Sequence, residues 1–254
     1  MLFDWPALPG VKACMTDRHG GVSVAPWDSM NLGNHVGDDP QAVHCNRERL
    51  AQAALAHPVF MDQVHGTSVL RLAQDTPDGL PADACLTQQR GVACTVMVAD
   101  CLPVLLCDDR GQWVAAAHAG WRGLAGSRGV GVLESLWQQL QALGANPEHT
   151  LAWLGPCIGP QAFEVGLEVQ EAFVLHVPGS QKYFTAQEDG KFLADLAGLA
   201  RERLQQLGIV RQDGNDSQPG WCTVSQPSKF FSHRRDSRIL GSTGRMAACI
   251  WLED

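Results

Sequence analysis

The chain has 254 residues, 45% of them hydrophobic, and a formal net charge of −8. That is enough apolar material for a sizeable core, and the charge argues against a broad nucleic-acid surface despite a local basic cluster at Lys229 to Arg238. The longest apolar stretches fall far short of the roughly 20 residues of a membrane span, and residues 1–6 lack the basic-then-apolar order of a secretion signal. The expectation is a soluble, cytoplasmic protein whose partner is a small molecule, with neither membrane nor nucleic acid involved.

In chain order, the patterning predicts a first strand over 11–16. A helix over 40–55 follows, with Asp39 as cap, Pro40 at the first helical position and Val43, Leu50 and Leu55 along one side. Further strands are predicted over 59–64, 69–72, 93–98, 104–107 and 113–117. A second helix is expected over 125–143, where Val132, Leu136, Leu140 and Leu143 recur at helical spacing before Gly144. A strand over 151–154, a helix over 192–206 with Gly208 beyond its end, and a last strand over 246–252 complete the reading. Several of these strands are apolar on both faces, as strands covered on both sides must be. No repeat or low-complexity tract divides the chain, so the expected fold is a single domain of layered α/β class, mixed sheets sandwiched with helices.

Three short polar motifs interrupt the apolar runs: Gln63-Val64-His65-Gly66, Ala99-Asp100-Cys101-Leu102-Pro103 and His118-Ala119-Gly120-Trp121-Arg122-Gly123. Two imidazoles and a thiolate supply three of zinc's four tetrahedral positions, the ligand count of a catalytic site with one position open. His65, Cys101 and His118 are expected to project from strand ends, where rigid scaffolding holds a site. Asp100 adjoins Cys101 and points to the opposite face, which suits orienting a neighbouring motif better than binding the same metal. Arg122 precedes the start of a predicted helix, where phosphate reception and a surface ion pair are both open readings. The other eight of the nine cysteines, an odd count without a Cys-x-x-Cys pair, read as packing thiols in a reducing compartment.

These three motifs resemble the signature of the YfiH-like family, also called the laccase-domain or polyphenol oxidase family, whose members were later recognised as purine nucleoside phosphorylases. The likeness extends over nearly the whole chain through Thr16-x-Arg18-x-Gly20-Gly21-Val22-Ser23, Asn31-Leu32-Gly33-x-His35-Val36-Gly37-Asp38, Leu154-Gly155-Pro156-x-Ile158-Gly159, Phe163-Glu164-Val165-Gly166 and Phe231-Ser232-x-Arg234-Arg235-Asp236. The resemblance implies a YfiH-like fold, zinc held by His65, Cys101 and His118, and phosphorolysis of adenosine, inosine and methylthioadenosine, with some adenosine deamination. It also adds Arg18 and Asn31 to Arg122 as substrate-binding candidates. Arg-x-Gly-Gly and Asn-Leu-Gly are ordinary turn chemistry as well, and Arg234-Arg235 is a solvated face unless it closes over the same pocket.

A multicopper oxidase is a poor fit, because nine histidines with no His-x-His pair cannot build a trinuclear copper cluster. Copper binding in vitro remains chemically reasonable, since thiolate and imidazole take copper more tightly than zinc. Phosphate-loop, nucleophile-elbow, His-Glu-x-x-His and zinc-deaminase signatures are all absent. The alternatives are a cysteine hydrolase or deamidase with Cys101 as nucleophile and His118 as base, and a non-catalytic metal-binding or peptidoglycan-editing factor.

Overall fold

A computed structural model describes residues 8–253; residues 1–7, on which the reading of no secretion signal falls, and Asp254 lie outside the described part. In chain order the elements are β1 (Val11–Met15), α1 (Pro40–Ala54), β2 (His57–Phe60), β3 (Val69–Arg71), β4 (Ala84–Thr87), β5 (Val92–Val98), β6 (Leu102–Asp108), β7 (Val114–Ala119), α2 (Trp121–Ala125), α3 (Val132–Ala142), β8 (Thr150–Leu154), β9 (Glu164–Val165), α4 (Leu167–Val174), β10 (Phe184–Ala186), β11 (Phe192–Ala194), α5 (Leu196–Gln206), β12 (Arg211–Gly214), α6 (His233–Leu240) and β13 (Met246–Leu252). They build a four-stranded sheet in the order β1-β13-β5-β2, a six-stranded sheet in the order β12-β8-β6-β7-β4-β3, and a small β10-β11-β9 sheet. Both large sheets mix parallel and antiparallel pairs.

The two large sheets pack face to face, and the period of two along each strand shows how. In β5, Val92, Cys94, Val96 and Val98 enter the core between the sheets, while Ala93 and Met97 face the opposite way, toward α1. β13 repeats the pattern with Met246, Ala248, Ile250 and Leu252 inward and Ala247, Cys249 and Trp251 outward. From the second sheet, Leu105, Cys107, Val114, Ala116, Leu151 and Trp153 fill the same core, and Leu102, Val104, Leu106, Ala115, Ala117 and Leu154 cover the far side beneath α3, α4 and α5. The result is helix, sheet, sheet, helices. Every strand that reads as apolar on both faces is covered on both faces, each fully buried Leu or Val contributing about 1.5–3 kcal/mol.

The helix over 40–55 ends within one residue of expectation, capped by the Asp39 carboxylate on Gln41 N at 3.0 Å. Of the helix expected over 125–143, only Val132–Ala142 forms, as α3; residues 126–131 are a glycine-rich turn that separates it from the short α2 before it. Gly126 has φ +64°, and a Cβ there would lie 1.9 Å from Val130 O; a Cβ on Gly131 would lie 2.1 Å from Leu124 O. Backbone packed this closely leaves room for neither a side chain nor a continuous helix. The helix expected over 192–206 also begins later, at Leu196, because Asp195 caps it through Gly198 N at 2.9 Å, leaving 192–194 free to pair as β11. α4, α6 and β4 have no counterpart in the sequence reading; β4 matters most, since it positions the site.

Candidate functional site

The three motifs meet where β5 and β7 end and β6 begins. Gln63 anchors the first: its side-chain amide donates to Met97 O at 2.8 Å and accepts from Met97 N at 2.7 Å, so it fastens the loop after β2 to β5 as a strand residue would. Cys101 sits in the tight connection from β5 to β6, where Asp100 takes φ +89°. His65 has φ +60°. Non-glycine residues in this left-handed region are held there by their surroundings, a form of strain that gathers at functional sites. His118 lies on β7, so the strand-end expectation fits it best, whereas His65 and Cys101 stand on connections.

Asp83 organises the cluster, and it is the residue the sequence reading missed. It precedes β4 and lies opposite His118, one step beyond the Ala84–Ala117 pair. Its carbonyl accepts from His118 N at 2.7 Å, and its carboxylate bonds His118 Nδ1 at 2.8 Å. The same carboxylate accepts from the backbone of Val64 at 3.2 Å, His65 at 2.9 Å and Gly66 at 2.6 Å. One buried carboxylate therefore sets the His118 ring, directing Nε2 at the cluster, and pins the His65 loop. A lone acid inside the apolar run Ala82-Asp83-Ala84-Cys85-Leu86 was the available signal.

Cys101 Sγ lies 3.7 Å from His65 Nε2, the two imidazoles pack edge to face at 4.8 Å, and one donor atom from each of the three residues falls within 4.8 Å of the others. Zn–N of about 2.0 Å and Zn–S of about 2.3 Å at a tetrahedral angle place such atoms ~3.6 Å apart, so the donor set fits a tetrahedral metal ion. It is the one cluster of three or more such side chains among the described residues. His65 is exposed, Cys101 half-buried and His118 buried, which leaves one side open. Gly120 borders all three: a Cβ there would lie 3.0 Å from both Cys101 Sγ and His65 Cδ2.

Burial pushes the Cys101 thiol up, but His118 and then His65 outweigh it and bring it down to about 6. Burial pushes His118 down, yet the Cys101 charge and the Asp83 hydrogen bond raise it to about 9. Cys107, by contrast, is pushed up to about 12, chiefly by burial. Between about pH 6 and 9 the metal-free pair is thus thiolate and imidazolium. A divalent cation binding His118 Nε2 must expel its proton, so uptake should release about one proton per ion near neutrality, and affinity should climb with pH toward 9. Calorimetry in buffers of different ionisation enthalpy measures this directly; binding without proton release would mean that His118 is already neutral.

The cluster opens into a cavity of about 300 Å³ lined by the apolar side chains of Trp121, Phe163 and Leu196 and the polar ones of His35, Gln63 and Arg245, among others. Arg234 lines it too, its two terminal nitrogens each donating to Glu164 O at 3.1 Å, whereas Arg235 of the same basic run turns away to Asp236, Thr223 O and Phe230 O. Asp100 fixes the Arg234 backbone beside the cavity: its carboxylate accepts from Thr223 Oγ1 at 2.5 Å and Arg234 N at 2.6 Å. The other candidates stand off the cavity. Arg18 ties Asp28 to Pro227 O and covers the Phe231 ring. Asn31 is fully buried in hydrogen bonds to Gly33, Asp38 and Arg245. Arg122 is exposed, 4.4 Å over its neighbour Trp121, with no ion pair among the described residues.

Fold and site together define a layered α/β protein with a histidine–cysteine–histidine centre at the mouth of a ligand-sized cavity. The family model described as multi-copper polyphenol oxidoreductase laccase matches residues 12–253. A purine nucleoside phosphorylase of Pseudomonas aeruginosa is 49% identical over 99% of this chain and 97% of its own length, and one of Escherichia coli, named YfiH, is 48% identical over 98% and 96%. Among solved structures, a Neisseria meningitidis protein superimposes with a TM-score of 0.89 at 43% identity, covering 100% of this chain and 99% of that one. YlmD of Geobacillus stearothermophilus gives 0.86 at 32%, covering 98% and 94%. The chain belongs to the YfiH-like, laccase-domain family.

Proposed function

We propose that this protein is a zinc-dependent purine nucleoside phosphorylase acting in the cytoplasm on adenosine, inosine and methylthioadenosine, with adenosine deamination as a side reaction. The observation that carries the reading is the convergence of His65, Cys101 and His118 in a cavity lined by both apolar and basic side chains. The near-full-length similarity to proteins named purine nucleoside phosphorylases supports it. Residues of both chemical characters suit the substrates: a planar purine stacks on Trp121 or Phe163, and a phosphate needs fixed positive charge.

In the reaction, a phosphate oxygen forms a bond to the ribose C1′ as the C1′–N9 bond breaks. The electron pair of that bond leaves on the purine, which takes a proton, giving ribose 1-phosphate and free base. A bound zinc ion would supply Lewis acidity against the charge growing on the departing base. The protein's own part is to hold the two substrates in line among the apolar and basic side chains of the cavity and to keep the cluster rigid through Asp83. No helix among the described residues is long and apolar enough to cross a membrane.

One observation favours a second reading. Cys101, His118 and Asp83 stand in the order nucleophile, base and orienting acid, with the thiol brought down to about 6, which is the arrangement of a cysteine hydrolase. In that scheme His65 would only help to lower the thiol and would have no part in proton transfer. Incubation with inosine, with and without phosphate, separates the two. Phosphate-dependent formation of ribose 1-phosphate, abolished by chelation and restored by zinc, is expected. Activity that survives chelation and disappears on thiol alkylation would establish the hydrolase instead.

A further inference from the structure

Two guanidinium groups line the cavity, and they differ in how they are used. Arg234 has both terminal nitrogens on Glu164 O. Arg245 bonds only through Nη1, to the carbonyls of Thr243 at 3.1 Å and Gly244 at 3.2 Å. Its Nε–Nη2 edge, the pair of parallel N–H groups that grips an oxyanion side on, has no acceptor among the described residues. Nor does any carboxylate among the described residues form an ion pair with it. The negative groups that act on it electrostatically are Cys101 and Asp100, of which Asp100 is already committed to Thr223 and Arg234 N and Cys101 belongs to the metal cluster.

The chain builds a cradle for this arginine. Asn31 Oδ1 accepts from Arg245 N at 2.8 Å and from Gly33 N at 2.9 Å, and Leu32 N donates to Arg245 O at 3.0 Å. A Cβ on Gly33 would lie 2.7 Å from Arg245 Cγ and 3.2 Å from its Cβ. The Asn31-Leu32-Gly33 motif therefore fixes where the Arg245 stem can run. A half-buried guanidinium held this firmly, with its bidentate edge free and a divalent cation's site in the same cavity, leaves surplus positive charge that a neutral nucleoside cannot balance.

We propose that Arg245 is the phosphate seat of this cavity, binding an inorganic oxyanion through its Nε–Nη2 edge, with Asn31 and Gly33 as positioning residues. The inference rests on the phosphorolysis reading for its role in turnover, but not for the binding itself. It also moves phosphate recognition from Arg122 to the cavity wall.

The test uses zinc-loaded Arg245→Gln, Arg245→Lys, Gly33→Ala and Arg122→Ala proteins. Phosphate and inosine KM are measured separately, alongside zinc content and binding of inorganic phosphate by 31P NMR line broadening. Arg245→Gln should raise the phosphate KM by about tenfold or more while the inosine KM stays within about twofold and zinc is retained. Lys should recover part of the loss, having the charge without the fork. Gly33→Ala should reproduce the phosphate effect with Arg245 still present, which a purely structural role for the side chain would not do. An unchanged phosphate KM in zinc-loaded Arg245→Gln, an equal rise in both KM values, or a phosphate effect in Arg122→Ala alone overturns the seat while phosphorolysis stands. Phosphate binding that vanishes in Arg245→Gln, in a protein that turns over no nucleoside, keeps the seat and removes the phosphorylase reading. Sulfate competing as well as phosphate is expected for the binding step, since both present the same oxyanion edge.

Discussion

Replacing His65, Cys101 or His118 with Ala should remove bound metal and the proposed phosphorolysis together. Each residue offers one donor atom, all within 4.8 Å of one another, and with two left the ion loses a third of its protein ligands and the charge or fixed geometry that the third supplies. The rate should fall on the order of 10²–10³-fold or more, the scale of losing a principal electrostatic stabiliser. Cys101→Ala is the most severe, since it removes the one anionic ligand. Cys107→Ala is the matching control: its thiol is fully buried and pushed up to about 12, so it stays protonated and only packs. That variant should lose some stability and no zinc. Metal analysis of purified variants together with ribose 1-phosphate formation checks both arms; three alanine variants with full metal content, or a folded Cys107→Ala without metal, would place the site elsewhere.

The second large effect belongs to Asp83→Asn. The carboxylate is fully buried and serves four donors, three backbone N–H groups of the His65 loop and Nδ1 of His118. An amide has one acceptor oxygen, so its NH2 group must turn toward donors that have no other partner. Roughly 2–3 kcal/mol of stability should go with the charge-assisted bonds. Metal affinity should fall by about 10–100-fold, because His118 is no longer held with Nε2 toward the cluster. A competition titration against a chelating dye measures the affinity, and thermal melting of the metal-free protein measures the stability. Lower melting with unchanged affinity would restrict Asp83 to the fold.

Alternation and apolar runs were enough to place β5, β6, β7, β8 and β13 to within about two residues, because strands covered on both faces must be apolar on both faces. The glycine-rich turn at 126–131 was not readable in the same way: Val132, Leu136 and Leu140 keep helical spacing, and nothing in that spacing says that Gly126 must pass within touching distance of Val130 O. α6, with the sequence His-Arg-Arg-Asp-Ser-Arg-Ile-Leu, carries no apolar stripe and is held by Ser232 on Arg235 N and by Asp100 on Arg234 N, one local contact and one distant in sequence.

The donor chemistry of the site is local information: two imidazoles and a thiol in three motifs are a donor set that could hold a metal ion, since residue type alone sets what a group can ligate. What surrounds that centre is not local. Asp83 matters because β4 lies beside β7 in register, Arg245 because the segment before β13 runs along Asn31 and Gly33, and Arg122 stands off the cavity because α2 turns it outward over Trp121. Charge partners, burial and direction are properties of residues brought together from separate parts of the chain, and the folded packing is what assigns them.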